Sequence, residues 1–203
     1  MNTISTTISA IFLSLLGTLC VADESPNPDL GRESTSYSGI TDAELADLKL
    51  QPNLKRLYIK ASKVTDAGLV RLKDLKQLQF LSLEGSQITD AGLVQLQELL
   101  HLKFLSLNDT KVTDVGMKHL AEMTQLRTLC IDKTQVTDAG LMQLKDLTKL
   151  EWLYLNDTAI TDSGLMHLKG LTQLKFLSVI NTKVTDNGVD DLHEALPTVR
   201  IRR

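Results

Sequence analysis

The apolar positions of this chain restart in the same phase every 24 residues. One full unit, starting at Leu78, reads LQFLSLEGSQITDAGLVQLQELLH. Leu78, Leu81 and Leu83 form an L-x-x-L-x-L segment, and the frame recurs at Leu102, Leu105 and Leu107 and at Leu126, Leu129 and Ile131. It continues through Leu150, Leu153 and Leu155 to Leu174, Leu177 and Val179, and begins with Leu54, Leu57 and Ile59. The last two apolar residues of each set alternate with polar or aromatic ones, which predicts a short strand with its aliphatic side chains on one face. An Ile-Thr-Asp or Val-Thr-Asp tripeptide follows, beginning at Ile40, Val64, Ile88, Val112, Val136, Ile160 and Val184 with no insertion or deletion. Leucines then recur at i, i+3 and i+6, as in Leu93, Leu96 and Leu99, or Leu141, Leu144 and Leu147, or Leu165, Leu168 and Leu171. That spacing keeps them on one side of a short helix. Each unit is therefore expected to be a strand, a turn and a helix.

A lone unit of this size buries too little apolar area to offset the entropy of ordering it, so the units must stack. In-register stacking pairs six successive strands at about 4.8 Å into a parallel sheet on the inside of an arc. On these residues, 40–203 resembles the leucine-rich-repeat family, most of all its cysteine-containing, F-box-type subfamily and the exported repeat proteins of Planctomycetes-type bacteria. The resemblance implies an α/β solenoid. Its strands form the concave face of a right-handed horseshoe arc and its short helices the convex face, in about six full repeats with half-repeats at the ends. The family's Asn or Cys after the strand is replaced by Ser62, Ser86, Thr110, Thr134, Thr158 and Thr182, whose hydroxyls can also satisfy turn backbone groups. A ubiquitin-ligase role does not carry over: no F-box-like segment precedes the repeats, and the N-terminus reads as an export signal.

That N-terminus departs from the beat. Ile8–Val21 is uncharged and about 14 residues long, shorter than the roughly 20 a membrane span needs. With the small residues Cys20-Val21-Ala22 before Asp23, it predicts a signal peptide over 1–22, cut after Ala22. Leu19 stands where an acylated Cys20 wants Gly, Ala or Ser, which speaks against a lipoprotein anchor. Cleavage would remove Cys20 and leave Cys130 without an internal partner. Ser25–Ser38 is polar and holds two prolines, so 23–39 is expected to be a flexible linker. At the other end, Pro197 should stop the last helix, and Val199–Arg203 is expected to add a partial strand blunted by Arg200, Arg202 and Arg203.

Composition narrows the function classes. The chain is 42% hydrophobic yet only 4% aromatic, with a net charge of −3. No overall field favours nucleic acid. Six of the eight aromatics fall on the outward strand positions: Tyr58, Phe80, Phe104, Trp152, Tyr154 and Phe176. The leucine core does not need them there, so they are the candidate ligand-binding residues, with cross-strand packing as the alternative. The Asp column that starts each helix (Asp42 to Asp186) reads as helix capping rather than a Ca²⁺ ladder: the dipole favours a carboxylate there, and the hydroxyl of the preceding Thr can cap the free N–H groups. The Gly two residues later reads as room for close approach between coils. Asn108-Asp109-Thr110 and Asn156-Asp157-Thr158 match a glycosylation acceptor, but the repeat itself dictates the Thr. His119 and His167 sit two repeats apart, too far to share a metal. No nucleophile with a base, phosphate loop or metal motif emerges, so neither catalysis nor a cofactor is expected. The leading expectation is a module that binds a protein or peptide outside the cytoplasm. The second is a structural component of an envelope without a defined ligand.

Overall fold

A computed structural model describes residues 34–45 and 53–203. It contains one open, fully parallel sheet in strict chain order: β1 (Ser34–Ser38), β2 (Arg56–Lys60), β3 (Phe80–Ser82), β4 (Phe104–Ser106), β5 (Thr128–Cys130), β6 (Trp152–Tyr154), β7 (Phe176–Ser178) and β8 (Arg200–Arg202). Between them lie α1 (Asp66–Leu69), α2 (Asp90–Leu93), α3 (Asp114–Met117), α4 (Asp138–Leu141), α5 (Asp162–Leu165) and α6 (Asp186–Ala195). Each of α2 to α5 is a single α-turn that runs directly into a 3₁₀ turn, such as Val94–Leu96 after α2. The i, i+3 leucines explain this. In a 3₁₀ turn such side chains eclipse on one side, so Leu93, Leu96 and Leu99 all point into the core.

From β2 to β7 the repeat and the register agree: Leu57, Leu81, Leu105, Leu129, Leu153 and Leu177 lie opposite one another in successive strands. They head one continuous core of Leu, Ile, Val and Met side chains running through every coil.

Neighbouring coils are also tied by a polar clamp. In each of six successive steps, one carboxylate reaches the threonine of the following coil. Asp66 Oδ1 accepts the Thr89 backbone N–H at 2.8 Å, and Asp66 Oδ2 accepts the Thr89 hydroxyl at 2.6 Å. The same two bonds join Asp42 to Thr65, Asp90 to Thr113, Asp114 to Thr137, Asp138 to Thr161 and Asp162 to Thr185. The same threonines are the N-caps; Thr89 Oγ1 accepts from the Ala91 N–H. Thus Thr does the capping, while Asp, besides favouring the helix N-terminus, holds the next coil. Glycine follows from this geometry: a Cβ on Gly116 would lie 2.4 Å from Asp90 Oδ1 and 3.0 Å from Leu93 Cδ1. The first coil departs from this pattern: Glu44 stands at the glycine position, and its carboxylate turns back to accept the Thr41 N–H at 2.8 Å and the Thr41 hydroxyl at 3.2 Å.

The two ends differ from expectation in one respect. Ser34–Ser38, expected in the linker, is β1, paired in parallel with β2 from Ser34↔Arg56 to Ser38↔Lys60. Its core-facing positions, opposite Leu57 and Ile59, are Thr35 and Tyr37, and Tyr37 packs against the leucine core. The strand is a polar cap, so it carries no L-x-L signature. Its turn is also two residues shorter: Gly39, with φ +68, does the work that Ala61, with φ 45, begins in the next coil. The rest of the expected leader and linker lies outside the described residues. At the C-terminus β8 forms as expected, and α6 ends at Ala195, with Leu196 as its C-cap immediately before Pro197. Among the described residues, no helix is long and apolar enough to cross a membrane.

The clamp predicts non-additive mutations. Gly116→Ala and Asp90→Ala should each cost about 1–3 kcal/mol in urea unfolding, the first by overpacking and the second by orphaning the Thr113 donors. The double variant should cost less than the sum, because the added methyl then occupies space the carboxylate has left.

Candidate interaction surface

The outward side of the sheet is assembled from the first and third residues of each strand. Along the first row the register sets Arg56, Phe80, Phe104, Thr128, Trp152, Phe176 and Arg200 side by side. Five of the six candidate residues fall into two groups. Phe80 and Phe104 stack with centroids 6.0 Å apart and planes 21° from parallel, and the Arg56 guanidinium lies 5.1 Å from the Phe80 ring centre. Trp152 lies 5.7 Å from Phe176, and Tyr154 5.3 Å from Phe176, both tilted. Thr128 separates the groups. Tyr58 stands beside Ser82 in the second row; burial pushes its phenol pKa up, partly offset by Arg56.

The rings do sit on the face opposite the leucines, as a cluster separate from the main core. They are not equally available. Phe104 is only 6% exposed, and with Cys130 it forms a small buried nucleus against which Phe80 and Tyr154 pack. Trp152, Tyr154 and Phe176 are half-buried and form the denser group. Cys130 is fully buried beside Phe104, and the chain's other cysteine, Cys20, lies outside the described residues.

Beside the rings, on the fifth strand position and its continuation, runs a ladder that the sequence did not reveal. Asn108 Oδ1 accepts the Asp132 N–H at 2.8 Å, Asp132 Oδ1 accepts the Asn156 N–H at 2.6 Å, and Asn156 Oδ1 accepts the Ile180 N–H at 2.9 Å. All three side chains are buried, so the two glycosylation-like asparagines serve the backbone of the next coil. Their shared place in the repeat was the available signal. Asp132 is the odd member: burial pushes its pKa up to about 6 against the hydrogen bonds from Asn156. The turn next to the ladder places Asp109, Lys133, Asp157 and Asn181 at φ of 54–56°, and the hydroxyls after it close the turn, as Thr110 does on the Leu107 carbonyl at 2.6 Å.

The strand-start lip is charged. Glu151 binds Arg127 at 2.7 Å and Lys175 at 2.5 Å across neighbouring coils, and the Lys175 bond leads in holding its carboxyl below the usual range. No metal-holding cluster of His, Cys, Asp and Glu occurs among the described residues. His119 is bonded to Gln97 and His193 to the Val199 carbonyl.

The strand order, the register and the 24-residue coil now settle the architecture. The fold is that of a leucine-rich-repeat solenoid. A family model described as Leucine Rich repeat matches residues 98–121. Among solved structures, the solenoid is similar to an internalin C2 (inlC2) from Listeria monocytogenes, with 25% identity and a TM-score of 0.62 over 83% of this chain and 80% of that one. It is also similar to an internalin (inlF) from the same organism, with 24% identity and a TM-score of 0.60 over 78% of this chain. The solenoid spans 50% of the inlF chain. A search of curated proteins finds no match.

The buried Asp132 carboxyl predicts a pH effect. Its folded pKa is raised, so the unfolded chain releases the proton first as pH climbs from about 4 to 6, and stability falls over that window and stays lower above it. Asp132→Asn, which makes this rung like Asn108 and Asn156, should remove the fall. Denaturation curves should show the variant more stable by on the order of 1–3 kcal/mol at pH 7–8, with the difference closing below pH 4.

Proposed function

We propose that this chain is a non-catalytic protein-binding module acting outside the cytoplasm, with the outward strand face as its docking surface. The observation that carries the reading is the Trp152–Tyr154–Phe176 group. Two rings, Trp152 and Tyr154, lie 5.3–5.7 Å from the third, Phe176, and all three stand half-buried on the face the leucine core leaves unused. Rigid aromatic side chains beside arginines are what protein-binding surfaces enrich. Tyr58 and Phe80 extend the surface toward the N-terminal coils, and Phe104 supports it from beneath. An exported location follows from the uncharged Ile8–Val21 run, and the finer resemblance to cysteine-containing and exported Planctomycetes-type repeats belongs to the same proposal.

One observation favours a second reading, a structural role without a ligand: Phe80 and Phe104 are satisfied by stacking on each other. The two readings differ in a measurable way. Trp152→Ala/Tyr154→Ala/Phe176→Ala should weaken capture of a peptide selected on the intact chain by tenfold or more, with the circular dichroism spectrum unchanged. Lower stability with no interaction altered favours the structural role. For location, residues 1–39 fused to alkaline phosphatase, which needs an oxidising compartment for its own disulfides, should give activity in a bacterial host; an inactive fusion overturns export.

A further inference from the structure

The outward face carries a charge opposite to that of the whole chain. From β2 to β8, the residue before each strand and the first, third and fifth strand positions hold eight Lys or Arg and three Asp or Glu. The complete chain holds 22 Lys and Arg against 25 Asp and Glu. The face therefore has five positive charges in excess, and the remainder of the chain eight negative ones. Nor do the three acids offset the field evenly. Glu84 lies 3.9 Å from Lys60, Asp132 is buried in its ladder, and Glu151 is covered by two cations. Its side chain is 13% exposed, whereas those of Arg127 and Lys175 are 57% and 63% exposed.

The excess is also directional. Lys103, Arg127 and Lys175 are exposed along the lip where the strands begin, and Arg56 and Arg200 close the two ends of the ring row. The opposite lip, past the strand ends, carries exposed Asp109 and Asp157 on either side of Lys133. Trp152 and Phe176 are the first residues of their strands, next to the basic lip. A shallow pocket opens beside Lys103, lined in part by Leu100, His101 and Gln125.

We propose that the partner is an acidic protein segment, lying across the strands with its carboxylates over Lys103, Arg127 and Lys175 and an apolar side chain on the Trp152–Phe176 rings. At about 4.8 Å per strand, Lys103 and Lys175 stand roughly 14 Å apart. An extended chain covers that distance in about four or five residues, which sets the length of the acidic run. This proposal rests on the binding face proposed above, and its test separates the two.

Random dodecapeptides displayed on phage are selected on the full chain, and the enriched sequences are synthesised. The expected result is enrichment of Asp and Glu runs beside a Trp, Phe or Leu. The affinity of such a peptide should fall about three- to tenfold in Lys103→Glu/Lys175→Gln and on raising salt from 0.05 to 0.5 M. It should rise in Glu151→Gln, which uncovers both cations; a change in that direction cannot come from misfolding. Neutral or basic peptides that are lost in the triple-alanine variant overturn the acidic partner and leave the docking face standing. Peptides indifferent to both variant sets overturn both. Oligo(dT) that binds more tightly than the acidic peptides and is lost in Lys103→Glu/Lys175→Gln also overturns the proposal, in favour of single-stranded nucleic acid.

Discussion

Everything in this molecule depends on one coil being unable to stand alone. Its leucines are covered only when the next coil is laid on top, and its first helical turn is completed by the neighbour as well. The Asp–Thr clamp makes the second dependence explicit. One threonine caps its own helix, donates its hydroxyl to the carboxylate of the preceding coil and presents its N–H to the same carboxylate. Both oxygens of that carboxylate are used, and so the aspartate column is a set of couplings rather than an open cation site. The glycine above each aspartate belongs to the same device, since any side chain there meets the carboxylate.

With the coils locked at a fixed spacing, the outward side chains acquire their function from position alone. Strands of three residues place only two side chains each on that face, and parallel register aligns them into rows. Rings in a row stack, as Phe80 and Phe104 do, and a threonine in the row interrupts the stack. The Asn108–Asp132–Asn156 ladder uses the same spacing for the opposite purpose, passing one buried hydrogen bond from coil to coil. Because the beat is uniform, charge in any one repeat position becomes a continuous line. The basic lip arises in this way from Lys103, Arg127 and Lys175, one residue per coil, with Glu151 held between the last two.

The two ends of the described solenoid show how the same rules are relaxed. Among the described residues the first coil has no aspartate beneath it, and Glu44 at the glycine position turns its carboxylate back onto the Thr41 N–H and hydroxyl. Its strand presents Thr35 and Tyr37 where the next strand presents Leu57 and Ile59, and among the described residues no strand pairs with the other side of β1. At the far end, α6 lengthens to ten residues and β8 carries arginines at both outward positions.

Much was legible in the residues themselves. The strands, the capping threonines, the close-approach glycines and the segregation of rings from leucines all follow from a period that repeats within a single coil. Local spacing is enough to determine which face a side chain takes. Three features were decided only by the folded chain. β1 was hidden because a polar cap lacks the apolar beat and its turn is two residues short. The aspartate clamp and the asparagine ladder join residues 23 or 24 positions apart, a contact that exists only once coils are stacked. And the difference between a buried Phe104 and the half-buried Phe80, Trp152, Tyr154 and Phe176 depends on side-chain packing across strands. A one-dimensional pattern assigns the row, but it does not say which member of the row its neighbours cover.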